Sequence, residues 1–329
     1  MTALPRIALV FALIASALVV IAPRAAARRS AAQDPPPTTF RSGASAVAVD
    51  VTVVHRTRRP MTGLKAEDFE VSDNGVPQQV QDVSYGKLPI DVTVALDVSY
   101  SVTGALLDRL RRGVVQLMED LGPEDRLKLI LFNMRVNRTV DFTTDVKAIE
   151  TAIRSATAGG STALLDAMSV ALVSSSTPAR RQLIVVFTDG SDSSSTTSPE
   201  VLTAVAQRTR GTLAFVVPSQ VAGSGWGTQT FGTPGRATFT FPTTAESRGN
   251  GTLTELFSTL AHETGGRVVP VGSASDLAAT FRTILGEFRS AYVLYYTPRG
   301  VDAAGYHTIE VKVKPTDARV QARRGYFGS

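Results

Sequence analysis

At 329 residues the chain exceeds what one hydrophobic core usually organises, so a large domain with a smaller companion module is expected. Hydrophobic residues make up 43% and charged residues 19%, which excludes wholesale disorder, and the absence of Cys excludes disulfides, thiolate zinc sites and Cys nucleophiles. The formal net charge of +5 includes Arg6, Arg24, Arg28 and Arg29; without those four it falls to +1, which leaves no electrostatic footprint for nucleic acid.

Residues 1–33 read as an export segment, either a cleaved signal peptide or an uncleaved N-terminal anchor. Arg6 precedes an apolar run from Ile7 to Ala22, and the small-residue stretches Ala25–Ala27 and Ser30–Ala32 follow it. The expected location is therefore exported: periplasmic, secreted, or anchored on the outer side of the inner membrane. Asp34 to Thr39, with three consecutive prolines, is an extended spacer within a 34–43 linker. Val47, Val49, Val51 and Val53 then alternate with small or polar residues, the pattern of a half-buried strand. Leu64 to Val71 and Val80 to Val83 flank Asp73-Asn74-Gly75, a hairpin turn signal, so residues 44–88 read as all-β.

From Pro89 to about residue 290 strands and helices alternate. That rhythm predicts an α/β fold with a Rossmann-like, doubly wound and mostly parallel sheet. Strands are expected at Ile90–Leu96, Arg126–Phe132, Val136–Phe142, Leu183–Thr188, Leu213–Val217 and Val268–Val269. Helices are expected near Leu106–Leu117, Val146–Ala156, Thr162–Val173, Pro199–Thr209 (with Ser198 as N-cap), Leu253–Glu263 and Ser275–Arg289. Residues 219–250 break the rhythm as a long loop rich in Gly, Ser and Thr, of the kind that is commonly functional or disordered. Its Trp226, Phe231, Phe239 and Phe241 read either as a partner-selecting lip or as aromatics docked on their own domain. Residues 291–329 return to β, with Tyr292–Tyr296, His307–Val313 and Val320–Tyr326 as strands. Each β segment is too short to cover a core alone, so the two are expected to pair into one small module.

The chemistry concentrates at loop and strand ends. Asp97-Val98-Ser99-Tyr100-Ser101 closes the first buried strand of the α/β unit, Thr162 stands at a loop-to-helix junction, and Asp189 follows a later strand. Open parallel sheets bind ligands just beyond the carboxyl ends of their strands. Two carboxylates and three hydroxyls form an all-oxygen set suited to Mg²⁺ or Mn²⁺ and poorly suited to zinc or copper. Asp192 and Ser193 to Ser195 read as solvated loop, Asp166 as a structural polar residue, and His55, His262 and His307 as ordinary surface or strand positions.

The order Asp-x-Ser-x-Ser, a distant Thr and a later Asp resembles the metal-ion-dependent adhesion site of von Willebrand factor A-like (VWFA) domains, across roughly residues 89 to 290. The resemblance implies that Ser99, Ser101 and sometimes Thr162 touch the metal, that Asp97 and Asp189 act largely through water, and that a protein partner's Asp or Glu fills the remaining position. The segments Leu64–Val71 and Ala322–Phe327 are similar to exported VWFA-related proteins of Acidobacteria. Tyr100 departs from the pattern, which often has a small residue there; its ring either touches the partner or restricts access to the metal. No Gly-x-Ser-x-Gly elbow, phosphate-cradling Gly-x-x-x-x-Gly-Lys loop or Gly-x-Gly-x-x-Gly fingerprint is present, so no enzymatic activity is expected. The expected function is metal-dependent binding of a protein, with a metal-independent structural or assembly subunit of an envelope complex as the alternative.

Overall fold

A computed structural model describes residues 46–57, 59–174, 177, 179–218, 226–231, 239–244, 250–272 and 276–328. The export segment and the 34–43 linker lie outside the described residues. No helix among the described residues is long and apolar enough to cross a membrane.

The α/β unit is built on a six-stranded sheet. Its strands are β5 (Ile90–Asp97), β6 (Arg126–Phe132), β7 (Val136–Thr143), β8 (Arg181–Phe187), β9 (Thr212–Pro218) and β12 (Arg267–Val271), in the spatial order β12-β9-β8-β5-β6-β7. All pairings are parallel except that of β7, which closes one edge antiparallel to β6. Every residue of β5 and β8 is buried, because each face of the sheet is covered. On one face Val92, Val94, Leu96, Leu183 and Val185 pack with α1 (Gly104–Glu119), α2 (Val146–Arg154) and α6 (Leu277–Arg289). On the other, Ala95, Ile184 and Val186 pack with α3 (Leu164–Val173), α4 (Pro199–Arg208) and α5 (Asn250–Thr264). The chain passes from β5 to β6 on one side and later returns with β8 on the other. The topological switch point therefore falls between β5 and β8, where a crevice opens beyond the strand ends.

A small all-β module flanks this unit and is made from both ends of the described chain. Its first sheet orders β15 (Ala318–Ala322), β1 (Val47–His55), β13 (Tyr292–Tyr296) and β4 (Asp82–Tyr85); its second orders β16 (Gly325–Gly328), β14 (Gly305–Val313), β2 (Phe69–Asp73) and β3 (Val76–Gln78). One core serves both sheets: Val49, Val51 and Val53 from the first meet Phe69, Val71 and Ile309 from the second, with Tyr292 and Tyr296 buried between. Arg181 at the start of β8 joins the module to the α/β unit. It pairs with Asp50 of β1, donates to the Phe288 carbonyl oxygen (2.6 Å) and lies over the Phe288 ring at 3.9 Å from the centroid. Gly265 and Gly266, after α5, allow a second close approach. A methyl group on Gly266 would overlap the Leu213 carbonyl, and Gly265 holds φ +73° against Ala322 and Arg323.

The structure departs from the sequence reading at several elements. The Asp73-Asn74-Gly75 turn, with φ of +47° and +78° at Asn74 and Gly75, joins β2 to β3 at Val76; the strand at 82–85 leaves that hairpin and joins the other sheet. Residues 219–250 are not one unbroken loop, since β10 (Trp226–Phe231) pairs antiparallel with β11 (Phe239–Thr244). His307 is neither a surface nor an indifferent strand residue. It is 1% exposed with Nδ1 2.8 Å from an Asp73 oxygen, and Asp73 also accepts hydrogen bonds from Tyr296 and Tyr326.

Candidate metal centre

Asp97 is the last residue of β5, the central strand at the switch point, and its side chain is fully buried. One carboxylate oxygen accepts a hydrogen bond from the Ser99 backbone N–H at 2.8 Å, which folds the chain back into a tight loop. The other accepts from the Thr188 hydroxyl at 3.1 Å, reaching across to the loop after β8. Within the first loop the Ser99 and Ser101 hydroxyl oxygens stand 3.0 Å apart, Ser99 buried and Ser101 exposed. Asp189 is also buried, and its charge acts on Asp97.

Three loops meet here and are laced in a ring. The Gly159 N–H donates to the Val98 carbonyl (2.9 Å) and the Tyr100 N–H to that of Gly160 (3.1 Å), tying the 97–101 loop to the turn before α3. Ser193 and Ser194 donate their N–H groups to the Thr162 carbonyl at 2.8 and 3.0 Å, and the Thr162 N–H donates to the Ser193 hydroxyl at 3.1 Å. The Thr188–Asp97 bond closes the circuit. The structure thus brings Asp97, Ser99, Ser101 and Asp189 to one place, and anchors the buried Thr162 to the same ring through its backbone.

The supporting residues were the part that sequence reasoning missed. Asp192 and Ser195 are half-buried rather than free solvated loop: Asp192 accepts from the Leu164 N–H (2.8 Å) and Ser195 from the Leu165 N–H (3.0 Å), so they cap α3 from a distant loop. Asp166 returns the favour by accepting from the Thr196 and Thr197 N–H groups at 3.1 and 2.8 Å. Burial alone would raise its carboxyl, but these bonds outweigh it and hold Asp166 below the usual range. Asn133, after β6, donates from Nδ2 to the Gly159 carbonyl at 2.7 Å and fixes the turn between two loops of the ring. Only Thr188, adjacent to Asp189 at a strand end, carried a positional signal.

Burial raises the Asp97 carboxyl from 3.8 to about 6, and the nearby Asp189 charge adds to this against the opposing hydrogen bonds from Ser99 and Thr188. Among the described residues no three or more His, Cys, Asp or Glu side chains gather into a cluster. The donor set here is instead two carboxylates with neutral hydroxyls. A buried carboxylate under the charge of a second, with two hydroxyl oxygens in the same loop, is an all-oxygen set of the kind that fits a small hard cation.

Residues 91–248 match the family model of the von Willebrand factor type A domain. No curated protein matches the chain. Among solved structures, the conserved hypothetical protein BatB from Bacteroides thetaiotaomicron is similar at 16% identity and TM-score 0.44, over 60% of this chain and 98% of that one. The von Willebrand factor type A protein from Catenulispora acidiphila is similar at 11% identity and TM-score 0.46, over 87% and 73%. The vWF domain of the type V pili tip protein Mfa5 from Porphyromonas gingivalis shares 22% identity at TM-score 0.30, over 32% and 39%.

Proposed function

We propose, taking residues 91–248 as the von Willebrand factor type A domain that they match, that the chain is an exported binding protein without catalytic turnover. It holds Mg²⁺ or Mn²⁺ at Asp97, Ser99, Ser101, Thr162 and Asp189 and captures an acidic residue of a protein partner there. The observation that carries the reading is the buried Asp97 carboxyl beside Asp189, with the Ser99 and Ser101 hydroxyls 3.0 Å apart at the switch point of the sheet. A bound cation supplies positive charge and a coordination position that a partner's carboxylate oxygen can take. Ser99 and Ser101 offer it neutral oxygens, Asp97 and Asp189 balance its charge, and the laced loops hold all of them in place. Because hydroxyls neutralise no charge, an incoming carboxylate gains more there than a neutral group does. Export rests on the order of Arg6, the apolar run and the small-residue stretches in the sequence, and on the likeness of its flanking segments to exported VWFA-related proteins.

One observation favours the second reading, a metal-independent assembly subunit. Both Asp97 oxygens already have hydrogen-bond partners within the protein, so the site is internally satisfied. Calorimetric titration with Mg²⁺, Mn²⁺ and Ca²⁺, on the native chain and on Asp97→Ala and Thr162→Ala, separates the two. Binding of Mg²⁺ or Mn²⁺ that is weakened in both variants is expected; no heat in the native chain would leave the metal-free subunit standing.

A further inference from the structure

The hydroxyls assigned to the cation come from two separate stretches of chain, Ser99 and Ser101 from the loop after β5 and Thr162 from just before α3, and residues 159–163 link the two. The 97–101 loop is tied to the near end of that segment by the Gly159 N–H on the Val98 carbonyl and by the Tyr100 N–H on the Gly160 carbonyl; Thr162 and Ala163 form the far end. Gly159 and Gly160 hold φ of +157° and +82°, angles that residues with a side chain rarely adopt, so the segment has little stiffness of its own. Asn133 is bonded to both ends of it. Its Nδ2 donates to the Gly159 carbonyl at 2.7 Å, and its own carbonyl accepts from the Ala163 N–H at 2.6 Å. The amide also lies against Gly160, where a methyl group would stand 3.5 Å from both Cγ and Nδ2. Asn133 is itself fixed: it follows Phe132, which is paired with Asp97 across β6 and β5, and its N–H donates to the Arg135 carbonyl at 3.0 Å. Its remaining polar atom, Oδ1, is buried without a hydrogen-bond partner in the protein. An unpaired buried acceptor is unfavourable, so what the amide contributes at this position is its donor.

We infer that Asn133 is the positioning residue that gauges the cation: by stapling residues 159–163 at both ends it fixes the span between the Ser99 and Ser101 hydroxyls and Thr162, and so holds the site to Mg²⁺ and against Ca²⁺. The inference rests on the metal-dependent reading above. Mg²⁺ requires oxygens at about 2.0–2.1 Å in near-octahedral order, whereas Ca²⁺ takes more oxygens at about 2.3–2.6 Å and tolerates irregular geometry. A span that cannot widen favours the smaller ion, and a span free to widen loses that preference. Asn133 acts here through its bonds to residues 159 and 163, not by giving an oxygen to the ion.

The test is calorimetric titration of the full chain with Mg²⁺ and, separately, with Ca²⁺, for the native protein, Asn133→Ala and Thr162→Ala, with amide exchange followed in EDTA. The native chain is expected to bind Mg²⁺ about tenfold more tightly than Ca²⁺. Asn133→Ala removes one hydrogen bond, so Mg²⁺ binding should weaken about fivefold while Ca²⁺ binding holds or tightens. Thr162→Ala removes a donor oxygen and should weaken both ions together. In EDTA, Asn133→Ala should exchange faster over 159–163 and remain as slow as the native chain in β5 and β8, the mark of a loosened segment in a folded protein. Asn133→Ser, whose side chain is too short to reach the Gly159 carbonyl as Nδ2 does, carries the same expectation and serves if the Ala variant does not fold. A native chain that binds Ca²⁺ as tightly as Mg²⁺ overturns the gauge and leaves the cation site standing. So does an Asn133 variant that weakens both ions in equal proportion, or that leaves both unchanged. A native chain that binds neither ion ends the metal reading, and the gauge with it.

Discussion

A fully buried carboxylate next to a second one is unfavourable for folding, and Asp97 carries that cost at the centre of the site. With a folded value of about 6 against 3.8, Asp97 is more protonated in the folded than in the unfolded chain, so its stabilising share is present below 3.8 and lost as pH rises through 6. A cation at the site favours the ionised form and reverses that loss. The melting-temperature gain from Mg²⁺ over EDTA should therefore be large near about pH 7.5 and small near about pH 5. Differential scanning calorimetry at the two pH values checks this, and equal gains would detach the cation from Asp97. The same reasoning predicts that Asp97→Asn melts a few degrees higher than the native chain in EDTA at neutral pH, and no longer responds to Mg²⁺. At this scale the sequence was informative about where the two carboxylates stand, because Asp97 and Asp189 lie at strand ends that periodicity locates. It was silent about burial, which decides the carboxyl's behaviour and depends on loops arriving from positions 133, 159 and 193.

The elements that periodicity located best are those buried on both faces. β5 and β8 are continuous apolar runs, and such runs arise when helices cover each side of a parallel sheet. The serine-rich run after Asp189 has no period, so it reads as solvent-facing, yet it provides the cap of α3. The first helical N–H groups of α3 have no intrahelical acceptor, and Ala163 at its start has no side-chain oxygen to offer, so Asp192 and Ser195 serve from another loop. A cap supplied by a neighbour in the next residues leaves a sequence signature; one supplied from about thirty residues away does not. The hairpin of β10 and β11 escaped for a related reason, since a two-stranded ribbon in a Gly- and Thr-rich segment shows no clear alternation. Replacing Asp192 with Ala should cost about 1 kcal/mol, the usual worth of an N-cap, and lower the melting temperature by about 2–4 °C. Because the same loop holds Thr162 through Ser193, Mg²⁺ binding should weaken alongside stability. Urea unfolding and calorimetry on the one variant test both, and unchanged stability would show that water replaces the cap.

Across the whole described chain, the α/β unit and the β module are joined by adjacency in sequence and by side chains that cross between them. Only Ser290 and Ala291 separate α6 from β13, and Arg181 fastens β1 to the Phe288 carbonyl at the end of that helix. The shortness of the terminal β segments made a shared module readable from the sequence. Which strand joined which sheet was not readable, because a four-residue strand such as β4 fits either edge equally well. Both sheets place a C-terminal strand inside: β13 lies between β1 and β4, and β14 between β16 and β2. Deleting residues 291–329 would therefore remove an interior strand from each sheet together with the buried Tyr292, Leu294 and Tyr296. Val49, Val51 and Val53, none of them exposed in the intact chain, would lose their covering layer, and the open edge of β1 would present unpaired backbone groups. The α/β unit keeps its own two cores in such a truncation, since neither draws on residues beyond Phe288. The expected outcome is a chain that retains slow amide exchange in β5 and β8, exchanges rapidly over 47–85, and aggregates in proportion to concentration. Hydrogen exchange with mass spectrometry and light scattering on the truncated chain read these separately. Persistent protection of 47–55 in a monodisperse sample would mean that β1 finds its partners without the C-terminal strands, and would overturn the shared module as the basis of its stability.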